Sequence, residues 1–342
     1  MTMSTLQIGL AIVGGAILAA VVAHGAWVSR RNRPRQADPE APRLDPVSDA
    51  MPEVALDASE PMPLPVVERK PALDPLIDAM ATIALDAVVL GDAVLAAMPA
   101  TRRVGSKPFA IEGLNEQTQQ WEMPQPGQRY GSLQAGVQLA NRAGALNEIE
   151  YSEFVVKTQA FADAVGGTPE FPEMLDEVAR ARELDQFAGA HDAQLSVTLR
   201  ARNAAWSPGY VQQNASRQGF VAGVIPGRMV LPTMQAGLPP VLVLSFDPQA
   251  ALADDPAQSA IFDLTLTLDV PQVDRSERAF ARMREIAALL AEQMDGEVTD
   301  DNGQPLNLAA MDQIAAELDK LYDTLESRDL AAGSPAARRL FS

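Results

Sequence analysis

The sequence predicts an α+β protein in which two modules, each an antiparallel sheet with helices packed on one face, follow an apolar N-terminal helix and a linker. Three observations support this prediction. Residues 8–28 carry no formal charge, residues 29–74 are rich in proline, and the rest of the chain alternates strand-like and helix-like patterns. A length of 342 residues accommodates about two domains, and a hydrophobic content of 47% supplies apolar cores.

Residues 8–28 form an apolar run long enough to cross a hydrocarbon layer of about 30 Å as a helix. Trp27 lies near its end, and four arginines follow: Arg30, Arg31, Arg33 and Arg35. Because basic residues stay on the cytoplasmic side, these arginines are expected to orient the span and leave residues 1–7 as a short periplasmic tip. A cleaved signal peptide is the alternative, but its basic residues would precede the apolar run.

Residues 29–74 contain frequent prolines, which interrupt helices and strand ladders. The composition predicts a disordered, partly extended linker. Its simplest role is that of a spacer between the membrane and the modules that follow.

An internal repeat predicts that the two modules occupy residues 75–190 and 191–328. A strand at 132–140 precedes a helix that ends at Gly166-Gly167, and a strand at 262–270 precedes a helix that ends at Asp295-Gly296. A second helix follows in each half. We interpret the halves as structural duplicates, although any two α+β modules could share this much. Residues 329–342 are predicted to form a flexible tail, either a frayed terminus or a minor docking peptide.

Composition argues against several classes of function. The net charge of −18 disfavours nucleic acid as a partner, because phosphate contacts need clustered basic residues. The chain has no cysteine and two histidines, so thiolate chemistry, catalytic triads and multi-histidine metal sites have almost no residues to use. We therefore expect no catalytic residue, no cofactor and no metal. An enzyme is the disfavoured alternative, which a deep pocket lined with converging carboxylates would revive.

Two smaller groups of residues allow a functional interpretation. Arg102, Arg103 and Lys107 are compatible with a phosphate site, but a solvated basic turn is preferred. His191 and Asp192 form an adjacent acid/base combination, but no nucleophile pattern accompanies them, so an inter-domain loop is preferred.

The acidic stretch at 295–302 resembles a metal site at first inspection. A calcium loop fails on spacing, because placing Gly303 at its sixth position puts Val298 first and Ala309 last, and neither is a ligand. Turn chemistry explains the stretch better: Gly296 is predicted to end a helix in a left-handed cap, and Asn307 to cap the next helix.

The layout of the chain resembles the ZipA family, bacterial proteins that anchor the division-ring protein FtsZ to the inner membrane. The similarity is strongest at 266–322, where Val270-Pro271, Gly296 and Asp300-Asp301 are the matching points. The resemblance implies that one face of the C-terminal sheet binds the FtsZ C-terminal tail. Ten residues are predicted to bind. Strand alternation assigns seven of them to this face: Ser196, Thr198, Val241, Val243, Ser245, Thr265 and Thr267. Ile225 is placed at its rim, and Met229 or Leu231 nearby would add apolar area.

The resemblance implies a non-enzymatic, single-pass adaptor of the bacterial inner membrane, with its N-terminus in the periplasm and its bulk in the cytoplasm. The adaptor would tether FtsZ polymers during septum assembly. The predicted face is rich in serine and threonine, which is also typical of an ordinary solvated sheet. The alternative is therefore an envelope scaffold that binds another protein or self-associates.

Overall fold

The computed structural model describes residues 34–37, 73–235, 237–255, 258–300 and 303–342. Contacts between residues divide the chain into two compact units. Among the described residues, the first module consists of 73–192 together with Ser334–Ser342. The second module consists of 34–37 together with Ala193–Gly333.

The first module is built on an antiparallel sheet with the strand order β2-β3-β5-β1-β8, and β4 pairs with β3. The core contains Phe109, Ile111 and Leu133 from the sheet and Phe154 and Phe161 from the long helix. The strands are β1 (Asp78–Leu90), β2 (Arg103–Val104), β3 (Lys107–Asn115), β4 (Trp121–Glu122), β5 (Arg129–Gln138) and β8 (Gly167–Glu170), with a separate hairpin of β6 (Ala140–Asn141) and β7 (Gly144–Ala145). The helices are α1 (Gly91–Ala97), α2 (Glu148–Val165) and α3 (Met174–His191).

The second module is built on an antiparallel sheet with the strand order β10-β11-β12-β13-β9-β14. Its strands are β9 (Gln194–Ala201), β10 (Val221–Ala222), β11 (Arg228–Leu231), β12 (Leu242–Ser245), β13 (Asp263–Asp269) and β14 (Gly296–Thr299). Its helices are α4 (Pro208–Arg217), α5 (Pro248–Ala251), α6 (Ala279–Met294) and α7 (Leu308–Glu326).

The two sheets share the same order of equivalent strands. In each module the first strand lies between the strand that precedes the long helix and the short strand that follows it: β1 between β5 and β8, and β9 between β13 and β14. Each sheet has six strands. In the first, β4 pairs with β3 beside the main path, whereas in the second β12, β11 and β10 follow β13 in one row. Structural duplication of the two halves stays a prediction, which superposition of the two modules would test.

Local sequence signals explain where the helices begin and end. Asn147 and Glu150 form a capping box at the start of α2, and Gly166 ends this helix in a left-handed conformation at φ 68°. Ser207 caps α4 by accepting a hydrogen bond from Tyr210 N, and Pro208 occupies the first helical position. Asn307 caps α7 as predicted, accepting from Ala310 N at 2.8 Å.

The predicted fold class, α+β with antiparallel sheets and helices, is confirmed. The apolar run 8–28 and most of the linker lie outside the described residues. Within the described ranges, no helix combines the length and apolar character needed to cross a membrane.

The end of the chain differs from the prediction of a flexible tail. Residues Pro335–Leu340 form helix α8, and Leu340 and Phe341 are fully buried. These residues belong to the first module although they follow the last helix of the second. The sequence could not show this, because the burial depends on a surface far away along the chain.

Candidate partner-binding face

The second sheet presents one face to its core and the other outward. Leu264, Leu266 and Leu268 of β13 point into the core and are at most 1% exposed. Because side chains alternate along a strand, Thr265 and Thr267 lie on the opposite face, where both are partly exposed.

Strand pairing arranges the outward side chains in two rows, which together we call the partner face. The first row is Val221, Val230, Val243, Thr267 and Ser196. The second row is Arg228, Ser245, Thr265 and Thr198, and it ends at Thr299, which is buried. The apolar side chains cluster on β10 to β12, while β13 and β9 contribute hydroxyl groups. The face therefore offers a narrow apolar strip beside a polar one.

A cleft of about 580 Å³ adjoins the second row. Ser245 and Thr265 line it together with Phe262, whose side chain is 36% exposed. Asp263 also lines the cleft and pairs with Arg200 at 3.0 Å, Nε to Oδ1. Both side chains of this pair are more than half exposed, so the pair contributes little stability and is free to rearrange around a ligand. Hydroxyl groups, valines and one aromatic ring are better suited to binding an extended or helical peptide than to catalysing a reaction of a small molecule.

Comparison with known families supplies the decisive observation. Residues 252–317 match the family described as "ZipA, C-terminal FtsZ-binding domain". Residues 252–317 are thus similar to a ZipA C-terminal domain, and we call them the ZipA-like segment. The matched segment contains β13, α6, β14 and the first part of α7, so Thr265 and Thr267 of the partner face lie inside it.

Other comparisons add little to the ZipA match. No curated protein matches the chain. A solved structure of a berberine bridge enzyme variant in complex with (S)-reticuline aligns at 9% identity with a TM-score of 0.14, over 76% of this chain. The alignment spans about half of that enzyme, 52% of its chain. A likeness this weak carries no argument about fold or activity.

Six of the ten predicted binding residues lie on the partner face of the second module: Ser196, Thr198, Val243, Ser245, Thr265 and Thr267. Ile225 lies in the turn between β10 and β11 and is 55% exposed, which is compatible with its predicted place at the rim.

The predicted outward position is wrong for three residues, since Met229, Leu231 and Val241 are buried. Met229 pairs with Leu244 and Leu231 with Leu242, which places both on the core side of the sheet. Val241 precedes β12 and is fully buried. The alternation of side chains along β12 does not apply to Val241, because this residue lies outside the strand. Val221 and Val230 also lie on the partner face, although the sequence did not predict them there. Alternation within β11 assigns Val230 outward once Met229 and Leu231 are assigned to the core.

Arg35, one of the four arginines predicted to orient the membrane span, contacts residues of the second module. Its Nη2 lies 2.9 Å from Asp295 Oδ2, its backbone N–H donates to Ala205 O at 2.7 Å, and Ser207 N donates to its carbonyl at 2.9 Å. Arg35 is therefore attached to the second module. Arg30, Arg31 and Arg33 lie outside the described residues.

The acidic stretch contributes to the structure of the ZipA-like segment. Asp295 adopts the left-handed conformation that ends α6, at φ 55°, and its Oδ2 also accepts from Asn203 Nδ2 at 2.9 Å. The predicted cap at Gly296 is thus displaced by one residue. In the described ranges no group of three or more potential ligands could hold a metal ion, and Asp301 and Asn302 lie outside those ranges.

The predicted basic turn differs from the structure at one residue. Lys107 is fully buried, and its Nζ donates to Asn141 Oδ1 at 2.9 Å and to Gly144 O. Burial lowers its pKa, while the nearby Glu150 opposes this shift. Lys107 is therefore part of the interior of the first module rather than a solvated group, and it is unavailable for a surface phosphate site.

His191 and Asp192 do not form an acid/base pair. The His191 Nδ1 atom lies 2.7 Å from Phe187 O, and Asp192 accepts two hydrogen bonds from Arg142 at 2.8 and 2.6 Å. Both side chains are engaged locally, and His191 is the last residue of α3 rather than part of the predicted inter-domain loop.

The corresponding face of the first module is covered by its own chain. Leu73 lies over Gly136, where an added Cβ would come within 2.5 Å of Leu73 Cδ2. Leu73 N and Gln134 Nε2 donate to the two oxygens of Glu112, at 3.1 and 2.9 Å, and Glu112 is fully buried. The two modules thus differ in access: the partner face of the second module remains partly exposed, whereas this region of the first is occupied.

Proposed function

We propose that the protein is a non-enzymatic adaptor of bacterial cell division that binds FtsZ through the partner face of its second module. The single observation that carries this proposal is the match of residues 252–317 to the ZipA C-terminal FtsZ-binding domain. The partly exposed strip of Val221, Val230 and Val243 supplies the apolar anchors that a short peptide needs.

We also propose that the apolar run 8–28 anchors the protein in the inner membrane, with the N-terminus in the periplasm. Such confinement raises the local concentration of the binding module, so that weak contacts with an FtsZ polymer sum to a firm attachment. The proposal rests on the length of the run and on the arginines that follow it.

The attachment of Arg35 changes how the tether would work. A span that ends at residue 28 leaves only residues 29–34 between the membrane and the second module, a reach of roughly 25 Å when fully extended. The whole linker, to residue 74, would have allowed roughly 160 Å. We therefore propose that the second module works close to the membrane surface.

The Val243→Asp substitution tests FtsZ binding. A carboxylate in the middle of the apolar strip would have to be desolvated under a bound peptide, so the affinity for an FtsZ C-terminal tail peptide should fall about tenfold or more. Titration of the labelled peptide with the full chain in detergent micelles measures this. Val156→Asp is the matched control, because Val156 is 69% exposed on α2 of the first module. Equal affinity of both variants would remove the partner face from consideration.

A second candidate function is an envelope scaffold that binds another protein or itself. The hydroxyl-bearing half of the partner face favours it, because Thr265, Thr267 and Ser196 supply little apolar area. Recovery of a different membrane protein by the tagged full chain, without FtsZ, and loss of that partner in Val243→Asp would support this candidate.

A further inference from the structure

The last residues of the chain, Ser334–Ser342, form a compact segment that we call the tail segment. Ser334 caps helix α8 by accepting a hydrogen bond from Ala337 N at 3.1 Å, and Pro335 occupies the first turn. Ala337, Leu340 and Phe341 are fully buried. The segment is therefore docked in the first module through a continuous apolar side.

The tail segment is held at one end of the first sheet by polar contacts. Asp78 of β1 and Gln138 of β5 are paired in register, on the face opposite the core. Arg339 binds the Asp78 carboxylate through both terminal nitrogens, with Nη1 at 2.8 Å from Oδ2. Gln138 Nε2 donates to Arg339 O at 2.8 Å, and Arg142 N donates to Ser342 O at 3.2 Å. A planar, two-pronged contact of this kind selects arginine over lysine.

Several features separate the tail segment from the permanent core of the first module. None of its residues belongs to the core cluster that joins β1, β3 and β5 to α2. Helix α8 is too short to persist alone in water, so its order depends on docking. The buried Gln138 Oε1 atom has no hydrogen-bond partner within the described part of the chain, which is an imperfection that a permanent core seldom retains.

The chain immediately before the tail segment is fixed on the second module. Gly333 N donates to Pro271 O at 2.9 Å, and Gly333 has a φ of 76°. An added Cβ at Gly333 would come within 2.4 Å of Asp274 N, so only glycine fits. The passage from one module to the other therefore occurs directly at Gly333-Ser334, as in a short hinge.

We propose that the tail segment is an exchangeable ligand of the first module, and that the same surface accepts the tail segment of a second copy of this chain. The contacts made within one chain and between two chains are the same, so concentration and the hinge decide which form prevails. Confinement on a membrane or a polymer would favour exchange between copies. The proposal is independent of FtsZ binding, because it uses a different module and a different surface.

A complementation experiment with full chains in detergent micelles tests exchange. One variant, Arg339→Ala with Phe341→Ala, keeps the surface but has a disabled tail segment. The other, Asp78→Asn, keeps the tail segment but has a disabled surface. Each alone should be monomeric by light scattering, and the mixture should form a heterodimer captured through a tag on one variant. Asp86→Asn, on the same strand, is the matched control. The contact between Asp78 and Arg339 remains intact in this variant, so it should form far less heterodimer with the variant that has a disabled tail segment. A mixture that stays monomeric would overturn the proposal.

A second measurement does not depend on the folding of these variants. A protease site inserted between Gly333 and Ser334 of the otherwise unchanged chain allows the tail segment to be cut while it is docked. A fluorescent peptide with the sequence of 334–342 should then replace it. The peptide with Arg339→Ala should bind about 30-fold more weakly, as expected for loss of one partner of a buried ion pair. A cut segment that never exchanges would show a permanent structural element and contradict the proposal.

Discussion

At the scale of single residues, some buried polar groups in the first module have several hydrogen-bond partners each. Glu150 illustrates this: its Oε1 accepts from Ser106 N and Ser106 Oγ, both at 2.8 Å, and its Oε2 accepts from Asn147 N at 3.3 Å. Burial raises the pKa of Glu150, but these hydrogen bonds and the charge of Lys107 outweigh it, so that the pKa lies below its usual value. The ionised carboxylate thus joins the start of α2 to the loop at Ser106.

This lowered pKa predicts an acid-sensitive contribution to stability. A carboxyl group with a depressed pKa stabilises the fold above its unfolded value of about 4.5, and that contribution is lost as the pH falls through the folded value. Glu150→Gln should lower the free energy of unfolding at neutral pH by about 1–3 kcal/mol and flatten its decline below pH 4.5. Denaturant unfolding across this pH range measures both effects. Glu148→Gln is the control, since Glu148 is a half-exposed residue of the same helical turn; an equal loss there would contradict the assignment.

At the scale of elements, the two long helices end in the same way with different residues. Gly166 ends α2 and Asp295 ends α6, each in the left-handed conformation. The following glycines, Gly167 and Gly296, serve close packing instead. Added Cβ atoms there would lie 2.8 Å from Ile83 Cγ2 and 3.3 Å from Trp206 Cζ2, respectively. The repeated glycine marks the start of the short edge strand, β8 or β14, rather than the cap itself.

Substitutions at Asp295 separate its backbone role from its charge. Asp295→Asn keeps a side chain that tolerates the left-handed conformation and should change the free energy of unfolding by less than about 0.5 kcal/mol. Asp295→Ala adds the strain of that conformation and should cost about 1–2 kcal/mol. Thermal unfolding of both variants distinguishes the two effects. Equal destabilisation would mean that the ion pair with Arg35, rather than the cap, dominates.

At the scale of the whole molecule, the modules share a strand order but differ in what their outward faces meet. The first module is covered by Leu73 at Gly136 and by the tail segment at Asp78, whereas the partner face of the second is partly exposed. This difference in access is the reason that the proposed binding role is placed on the second module.

The attachment of Arg35 predicts a specific response to changes in linker length. A flexible Gly-Ser insertion between residues 31 and 32 should move the second module away from the membrane. The same insertion between residues 55 and 56 should not, because Arg35 lies upstream of it. Energy transfer from a dye on the second module to acceptor lipids, with the full chain in vesicles, measures the distance. Equal responses to the two insertions would show that the attachment of Arg35 does not limit the distance between the second module and the membrane.

The sequence by itself determined the α+β fold class, the strands near 132–140 and 262–270 with the long helix that follows each, the cap at Asn307 and the resemblance to the ZipA family. These features depend on hydrophobic periodicity and on local hydrogen bonding, which neighbouring residues specify. Only the tertiary structure decided that Arg35 is attached to the second module, that the tail segment docks on the first, and that Met229, Leu231 and Val241 are buried. Those outcomes depend on pairing between residues that are far apart in the chain, and on strand ends where alternation no longer holds. Local pattern carries no information about either.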